Sequence, residues 1–295
     1  MKLNKIDQIE VHREVSDFKL KLFKVLLIFF VLVCFNTLTY AQDFPFQEGE
    51  ILNYDIRYKY GLVVMKGGTA RYKVNFSNYE NEPVVQSTLD FKTSSFFDKI
   101  YKIRDTLISY ASIPKIDPLY HRRSVHEGGS AGFIEEMKIL KHSDTYTEAS
   151  VLRYRGDHIM VDTIISAENQ GYDLLNIFLF IRNLDYSNLS VGETKNLASF
   201  LGRRKVNIIL RYQGQSIVEK SETHKFKALK FDIDITDDVF TESSNAMEVW
   251  ISDDKNRIPI KLKAKLKIGA AEADMTSYKN LKYPFTSEIR IPVKK

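Results

Sequence analysis

The sequence has almost no cysteine, no long apolar run and no strong charge of either sign. Cys34 is its only cysteine, and it lies inside a short apolar segment near the N-terminus. Disulfides therefore cannot hold the rest of the chain together, and a hydrophobic core has to stabilise it. Lys and Arg number 43 against 38 Asp and Glu. This slight excess is spread along the chain, which argues against nucleic-acid binding.

The N-terminus has the order and size of a signal peptide. Three lysines precede an apolar run over residues 25–35, and a polar stretch with small residues at Thr39 and Ala41 follows. This run is well below the roughly 18 residues that a spanning helix needs. We predict a signal peptide over residues 1–41, cleaved between Ala41 and Gln42, and hence an exported periplasmic or envelope-associated protein with no transmembrane helix after cleavage. The alternative is an uncleaved single-pass anchor.

Alternation with a period of two dominates the rest of the chain. Within residues 51–58, Leu52, Tyr54, Ile56 and Tyr58 share one face, and polar residues occupy the other. The same pattern predicts strands over residues 70–76, 100–110, 208–212, 226–235 and 258–268. Turn-forming residues separate such runs at positions 66–68, 127–129, 155–157, 213–215 and 253–256. Successive hairpins of this kind predict an antiparallel sheet.

One segment has the period of a helix instead. Leu174, Ile177, Phe178 and Ile181 fall on one face behind Asp173, which is a good helix N-cap. The opposite face is apolar too, which predicts a helix packed into the sheet, where it would plug an open barrel end.

The predicted fold is mainly β: a curved antiparallel sheet or open β-barrel with one substantial buried helix, at about residues 173–182. Residues 42–283 would form a single β-rich domain of two sheet lobes joined around that helix, and residues 284–295 a C-terminal tail. Internal repeats and low-complexity linkers are absent from the sequence. An outer-membrane barrel is a weaker alternative because long charged loops are lacking.

The candidate catalytic and metal motifs do not hold up in their sequence context. Residues 128–132 match the G-x-S-x-G nucleophile elbow, but strand-like residues flank them where that motif needs a helix. His121 and His126 would point to opposite faces of a strand, and residues 253–256 lack the glycine and glutamate of a calcium loop. We therefore predict no catalytic residue, metal ligand or cofactor.

Several segments together resemble a known family of exported bacterial proteins, domain-of-unknown-function family 3108. They are FQEGEILNY at 46–54, GGTA at 67–70, FDKIY at 97–101, YDLL at 172–175, FIR at 180–182, EVWISDD at 248–254 and RIPI at 257–260. The resemblance runs from about residue 46 to 280. It implies a signal-bearing envelope protein with a curved antiparallel sheet or open barrel, similar to periplasmic carriers of lipoproteins, and it supplies no catalytic residues.

The abundance of Tyr and Phe, 16 and 19 residues, favours a binding function. The leading hypothesis is non-enzymatic binding of an apolar or amphipathic ligand, such as a lipid or glycolipid, in the concave face of the sheet. The candidate lining residues are Tyr54, Tyr58, Tyr72, Phe178 and Trp250. One alternative is an envelope scaffold that offers a sheet edge to a protein partner, and another is an unrecognised hydrolase.

Overall fold

The sheet that the sequence predicts is present and is large. The computed structural model describes residues 43–129, 131–237, 240–266 and 269–291, apart from the side chains at 201 and 236–245. The predicted signal peptide and its cleavage site at Ala41 and Gln42 lie outside the described residues. The described residues from Phe44 onward form one compact unit.

The first half of this unit is a meander of long strands. They are β1 Glu50–Tyr60, β2 Val63–Tyr79, β3 Glu82–Thr93, β4 Arg104–Ser112, β5 Pro118–Val125, β6 Phe133–His142, β7 Thr147–Arg155 and β8 His158–Ala167. A short 3₁₀ helix, Phe97–Lys99, lies between β3 and β4.

The second half contains the α-helix and the remaining strands. In chain order these are β9 Gly171–Tyr172, α1 Leu174–Arg182, β10 Thr194–Leu201, β11 Arg204–Ser221, β12 His224–Asp237, β13 Phe240–Ser252, β14 Pro259–Lys265, β15 Ala270–Lys279 and β16 Glu288–Arg290. In the ranges that the structure describes, no helix combines the length and apolarity needed to cross a bilayer.

The described strands form one sheet that curls into a nearly closed, barrel-like shape. The strand order is β8-β7-β6-β5-β4-β3-β2-β1-β15-β14-β13-β12-β11-β10-β9, and β16 pairs beside β12. Neighbours are antiparallel except for β9 and β10. The two ends of this order approach each other, because Met137 and Val151 of β6 and β7 pack against Ala198 and Phe200 of β10. The prediction of a curved, mainly antiparallel sheet is confirmed.

The predicted buried helix is confirmed as α1. The Asp173 side chain caps it by accepting hydrogen bonds from the backbone N–H groups of Leu175 and Asn176, at 2.9 and 3.1 Å. Both sides of α1 are buried, as its apolar sequence requires. Leu175 and Leu179 belong to the cluster that contains residues of β1–β4, whereas Ile177 and Ile181 belong to the cluster with residues of β10–β13.

Two of the predicted turns are wrong, and glycine explains both. Residues 66–68 lie inside β2, and the chain turns at Gly61 and Leu62 instead. Gly68 is needed because a Cβ there would lie 2.3 Å from the Lys92 carbonyl oxygen of the neighbouring strand. Residues 213–215 lie inside β11, where the pairing with β12 shifts at Gly214 to form a bulge.

Other turns and strands follow the prediction more closely. The turns at 127–129, 155–157 and 253–256 connect consecutive strands. The strand predicted over 100–110 begins only at Arg104, because residues 97–99 form the 3₁₀ helix and the Arg104 guanidinium pairs with Asp98 at 2.6 Å. The strand predicted over 258–268 is β14, which ends at Lys265, and positions 267 and 268 lie outside the described residues.

Candidate functional site

A cavity of about 190 Å³ lies between α1 and the concave face of the sheet. Strands β1, β2, β3, β14 and β15 supply one wall and α1 the other, and almost all of the lining surface is carbon. Its main side chains are Tyr54, Tyr72, Leu89, Phe91, Phe178 and Leu262. Such a surface excludes water and favours an apolar occupant.

The cavity opens toward the end of the barrel where β1 turns into β2. Along alternate residues of β1, Leu52 and Tyr54 are buried, Ile56 and Tyr58 are half-buried, and Tyr60 is 59% exposed. The same gradient runs along β3 from Ser87, which is buried, to Leu89 and Phe91, which are half-buried. The barrel interior is therefore filled on the side of α1 and accessible at the opposite end.

Three of the five predicted lining residues meet in this cavity. Tyr54 and Tyr72 come from adjacent strands, and the ring of Phe178 on α1 lies 6.3 Å from that of Tyr72. The Tyr54 hydroxyl donates to the Pro259 carbonyl at 2.9 Å, and the Tyr72 hydroxyl bonds to Ser87 Oγ at 3.0 Å. Both hydroxyls are thus satisfied by protein partners, and the rings present their carbon faces to the cavity.

Burial also fixes the charge state of these tyrosines. It raises the pKa of Tyr72 to about 12, and it raises the pKa of Tyr54 above its ordinary value. Both phenols are therefore neutral at physiological pH, and the wall that they form carries no charge.

The other two predicted residues do not line the cavity. Tyr58 lies four residues closer to the β1–β2 turn, where its ring packs beside Gly269. Trp250 sits on β13 between Lys230 and Lys261 of the neighbouring strands, whose ammonium groups lie 5.5 and 5.8 Å from its ring centre.

A buried ion pair forms one margin of the cavity. The side chains of Arg182 and Glu50 are 0% exposed, and two hydrogen bonds of 2.6 and 2.9 Å join the guanidinium to the carboxylate. Arg182 also donates to the carbonyls of Asn256 at 2.9 Å and Pro45 at 3.2 Å. Although burial opposes the charge, the Glu50 carboxylate raises the pKa of Arg182. The guanidinium therefore stays charged, and the Glu50 carboxylate balances its charge within the protein.

A Ser-His-Asp group lies at the start of α1, but its geometry is structural. Ser109 Oγ lies 2.8 Å from His121 Nδ1 and donates to Asp173 Oδ1 at 2.6 Å. The Asp173 oxygen lies 3.3 Å from the same ring nitrogen. A nucleophile relay needs the hydroxyl and the carboxylate on opposite ring nitrogens, with the hydroxyl accessible. Here Ser109 is fully buried, and the three groups hold the helix cap against β4 and β5.

The ionisation of Asp173 fits this structural role. Burial opposes its charge, yet the His121 imidazole and the Ser109 hydroxyl keep the pKa of Asp173 below its ordinary value. Asp173 is therefore an ionised acceptor for the first N–H groups of α1. Within the described ranges, no group of three or more His, Cys, Asp and Glu side chains is placed to hold a metal ion.

Sequence reasoning missed both polar groups because their members are far apart in the chain. Arg182 and Glu50 are separated by 132 positions, and Ser109 and Asp173 by 64. The available signals were local: Asp173 as a helix cap, and Arg182 as the single charge in an apolar helix.

Comparisons with known proteins agree with the fold. No curated protein shows significant sequence similarity to this chain. Among solved structures, a beta-barrel-like protein of domain of unknown function DUF1849 from Brucella abortus is similar, with a TM-score of 0.54 and 10% identity. The match covers 80% of this chain and 100% of that one, and at this identity it supports the barrel-like fold alone.

The sequence itself gives a family assignment. A family model described as a protein of unknown function, DUF3108, matches residues 53–276. This range contains every residue that lines the cavity, from Tyr54 to Ala273. The match spans most of the chain and confirms the resemblance found in its motifs, so the chain belongs to the DUF3108 family.

Proposed function

We propose that this protein is a non-enzymatic carrier or receptor that holds the apolar tail of an amphipathic ligand, a lipid or a glycolipid, in the cavity beneath α1. The observation that supports the proposal is the carbon-lined space between Phe178 and the sheet, accessible from one end of the barrel. The hydroxyl groups nearest to it are already bonded to protein atoms.

The size of the cavity indicates which part of a ligand would enter. Its volume of about 190 Å³ exceeds that of an engineered apolar cavity, of about 150 Å³, that admits benzene. It is smaller than the roughly 300–1,000 Å³ of sites that enclose a whole drug-sized molecule. We therefore expect one end of a single hydrocarbon chain to enter, while the polar head group stays at the mouth.

A chain-length series tests this expectation. Each buried methylene contributes about 0.8 kcal/mol, which is close to a fourfold change in Kd. Isothermal titration with straight-chain fatty acids, each below its micelle concentration, should therefore show affinity rising by about fifteenfold for every two added carbons. The rise should stop once the cavity is full.

A cavity-filling variant supplies the sharper comparison. Ala273 of β15 lines the cavity, so A273L adds three carbons to the space that the ligand would use. Affinity for the longer fatty acids should fall by up to about 50-fold. The matched control is A131L, the same change at an exposed alanine of the β5–β6 connection. Equal binding by A273L and A131L, or affinity independent of chain length, would disprove the proposal.

Export and an envelope location are part of the same proposal, supported by the leader-like N-terminus. The intact mass of the chain recovered from an envelope fraction tests this part. Cleavage after Ala41 predicts a first residue of Gln42, whereas a mass that includes residues 1–41 contradicts the cleavage.

A second candidate function rests on the edge of the sheet. Strand β8 ends the strand order and exposes Ile159, Met160 and Ile164, which are 58, 42 and 62% exposed. An exposed apolar edge strand is a template for the addition of a partner strand. Crosslinking in cells through a photoreactive residue at position 160 should then capture a protein partner, and a photoreactive residue at exposed Glu222 is the control.

A further inference from the structure

Exposed apolar side chains concentrate on three neighbouring hairpins at the open end of the barrel. In an antiparallel sheet, alternate connections lie at the same edge, so the β14–β15, β1–β2 and β3–β4 connections stand side by side. We name residues 59–66, 94–103 and 265–266, which belong to these connections and the strand ends beside them, the apolar rim. It stands at the end toward which the cavity opens.

The apolar rim exposes large side chains at its tips. Leu62 is 103% exposed at the β1–β2 turn, and Val63 and Val64 beside it are each about half exposed. Ile100 follows at 69% on the β3–β4 connection, and Leu266 is 47% exposed on the β14–β15 connection. Single exposed apolar residues are common in proteins, whereas a contiguous group of them marks a surface that is covered in function.

Positive charge surrounds these tips. The apolar rim carries five exposed lysines, namely Lys59, Lys66, Lys99, Lys102 and Lys265. Its one acidic residue is Asp98, and the Arg104 guanidinium pairs with that carboxylate at 2.6 Å. Lys66 shares part of its charge with Asp55, at 2.8 Å.

The opposite end of the barrel carries exposed charges of both signs. Its turns and strand ends expose the acidic residues Glu80, Glu82, Asp144 and Glu222 together with Lys115, Lys141 and Lys255. The two ends therefore differ in their balance of charge, since the apolar rim combines five exposed lysines with one paired carboxylate.

We propose that the apolar rim docks the protein onto an anionic lipid bilayer. Leu62, Val64 and Ile100 would enter the boundary between head groups and acyl chains, and the lysines around them would contact lipid phosphates. Apolar tips flanked by lysines are the combination that binds such a surface, since burial of apolar area and attraction to anionic lipid act together. The opposite end, with its mixed charges, would then face away from the membrane.

Membrane docking through the apolar rim does not require a particular ligand in the cavity. Docking uses side chains outside the cavity, and it would bring the cavity mouth close to the lipid whatever the cavity holds. The A273L variant, which alters the cavity alone, should therefore dock as the wild type does.

A tryptophan placed in the apolar rim reports docking at one position of the full chain. The variant L62W is reconstituted with vesicles of phosphatidylcholine containing phosphatidylglycerol, with bromine atoms on the lipid acyl chains as quenchers. The control is L140W, the same change at a half-exposed leucine of β6 near the opposite end of the barrel. The signal of the wild type, which has only Trp250, is subtracted from both.

Docking predicts strong quenching of the new tryptophan in L62W and little in L140W. Quenching should require phosphatidylglycerol and weaken with salt. Adding K99A and K102A to L62W should lower the ratio of docked to undocked protein by roughly 25-fold, since each lysine near an anionic surface contributes about fivefold.

Two results would overturn the proposal. Equal quenching of L62W and L140W would show that the apolar rim has no preference for the membrane, even if the N-terminal segment anchors the chain. An emission change of L62W that follows protein concentration without vesicles would assign the apolar rim to a contact between two copies of the chain.

Discussion

Removing one member of the buried pair between Arg182 and Glu50 should cost more stability than removing one member of any exposed ion pair of the barrel. R182M keeps an apolar side chain of similar length but leaves the Glu50 carboxylate buried without its partner. It also removes the hydrogen bonds from the guanidinium to the carbonyls of Asn256 and Pro45. Removing one member of a fully buried pair costs about 3–5 kcal/mol. For a chain of this size, that loss lowers the Tm by roughly 6–20 °C.

Urea unfolding at neutral pH, followed by far-UV circular dichroism, measures this cost. The control is R122M, the same substitution in a pair with Glu136 whose side chains are about one third exposed and whose charged atoms lie 3.6 Å apart. Solvent screens that pair, so its loss should cost no more than about 1 kcal/mol.

The double variant R182M/E50M shows how much of the loss comes from leaving the Glu50 carboxylate unpaired. With both charges removed, most of the penalty of an unpaired carboxylate disappears, and the double variant should be more stable than R182M alone. A loss of less than about 1 kcal/mol in R182M would refute the reasoning, as would a double variant less stable than R182M.

Two further predictions concern the sheet and the cavity wall. G68A should lower the free energy of unfolding in urea by about 1–3 kcal/mol, because its Cβ would lie 2.3 Å from the Lys92 carbonyl oxygen. The control is G129A, whose new Cβ has no atom within 4 Å and should leave stability nearly unchanged. Equal stability of the two variants would contradict this account. Stability should also fall as pH rises from about 10 toward 12, because the folded pKa of Tyr72 is about 12 and the unfolded value about 10. At pH 11 the difference between these two pKa values lowers the free energy of unfolding by about 1.4 kcal/mol. The stability of Y72F, measured by urea unfolding at each pH, should therefore fall less between about pH 10 and 12 than that of the wild type. An equal fall in both proteins would count against this prediction.

Much of the fold could be predicted because its signals are local. Alternation located the strands, and α1 stood out as a capped apolar segment with a helical period. The glycine positions were harder to interpret, because glycine serves two purposes that the sequence does not distinguish. At Gly156 it supplies a positive φ, of 55°, in a hairpin turn, whereas at Gly68 it lets two strands approach each other.

The candidate site could be predicted in part for the same reason. Tyr54, Tyr72 and Phe178 meet in the cavity, although the pairing of β1 with β15 shifts beside Tyr54. The pairing of β13 with β14 also shifts near Trp250, and that of β1 with β2 near Tyr58. The alternation of polar and apolar residues in a sequence does not reveal such shifts in strand pairing. The Arg182 to Glu50 contact depends on a long-range approach that has no local signature.

The placement of the polar groups explains how an open cavity persists beside an apolar helix. A helix held only by apolar contacts would lower its free energy by settling into the space beneath it. Here Asp173 fixes the first turn of α1 to Ser109 and His121, and Arg182 fixes its last turn to Glu50. Directional bonds at both ends oppose that movement, while the middle of the helix presents Leu175 and Phe178 to the cavity. The two buried polar groups thus act as supports that keep the helix and the sheet apart.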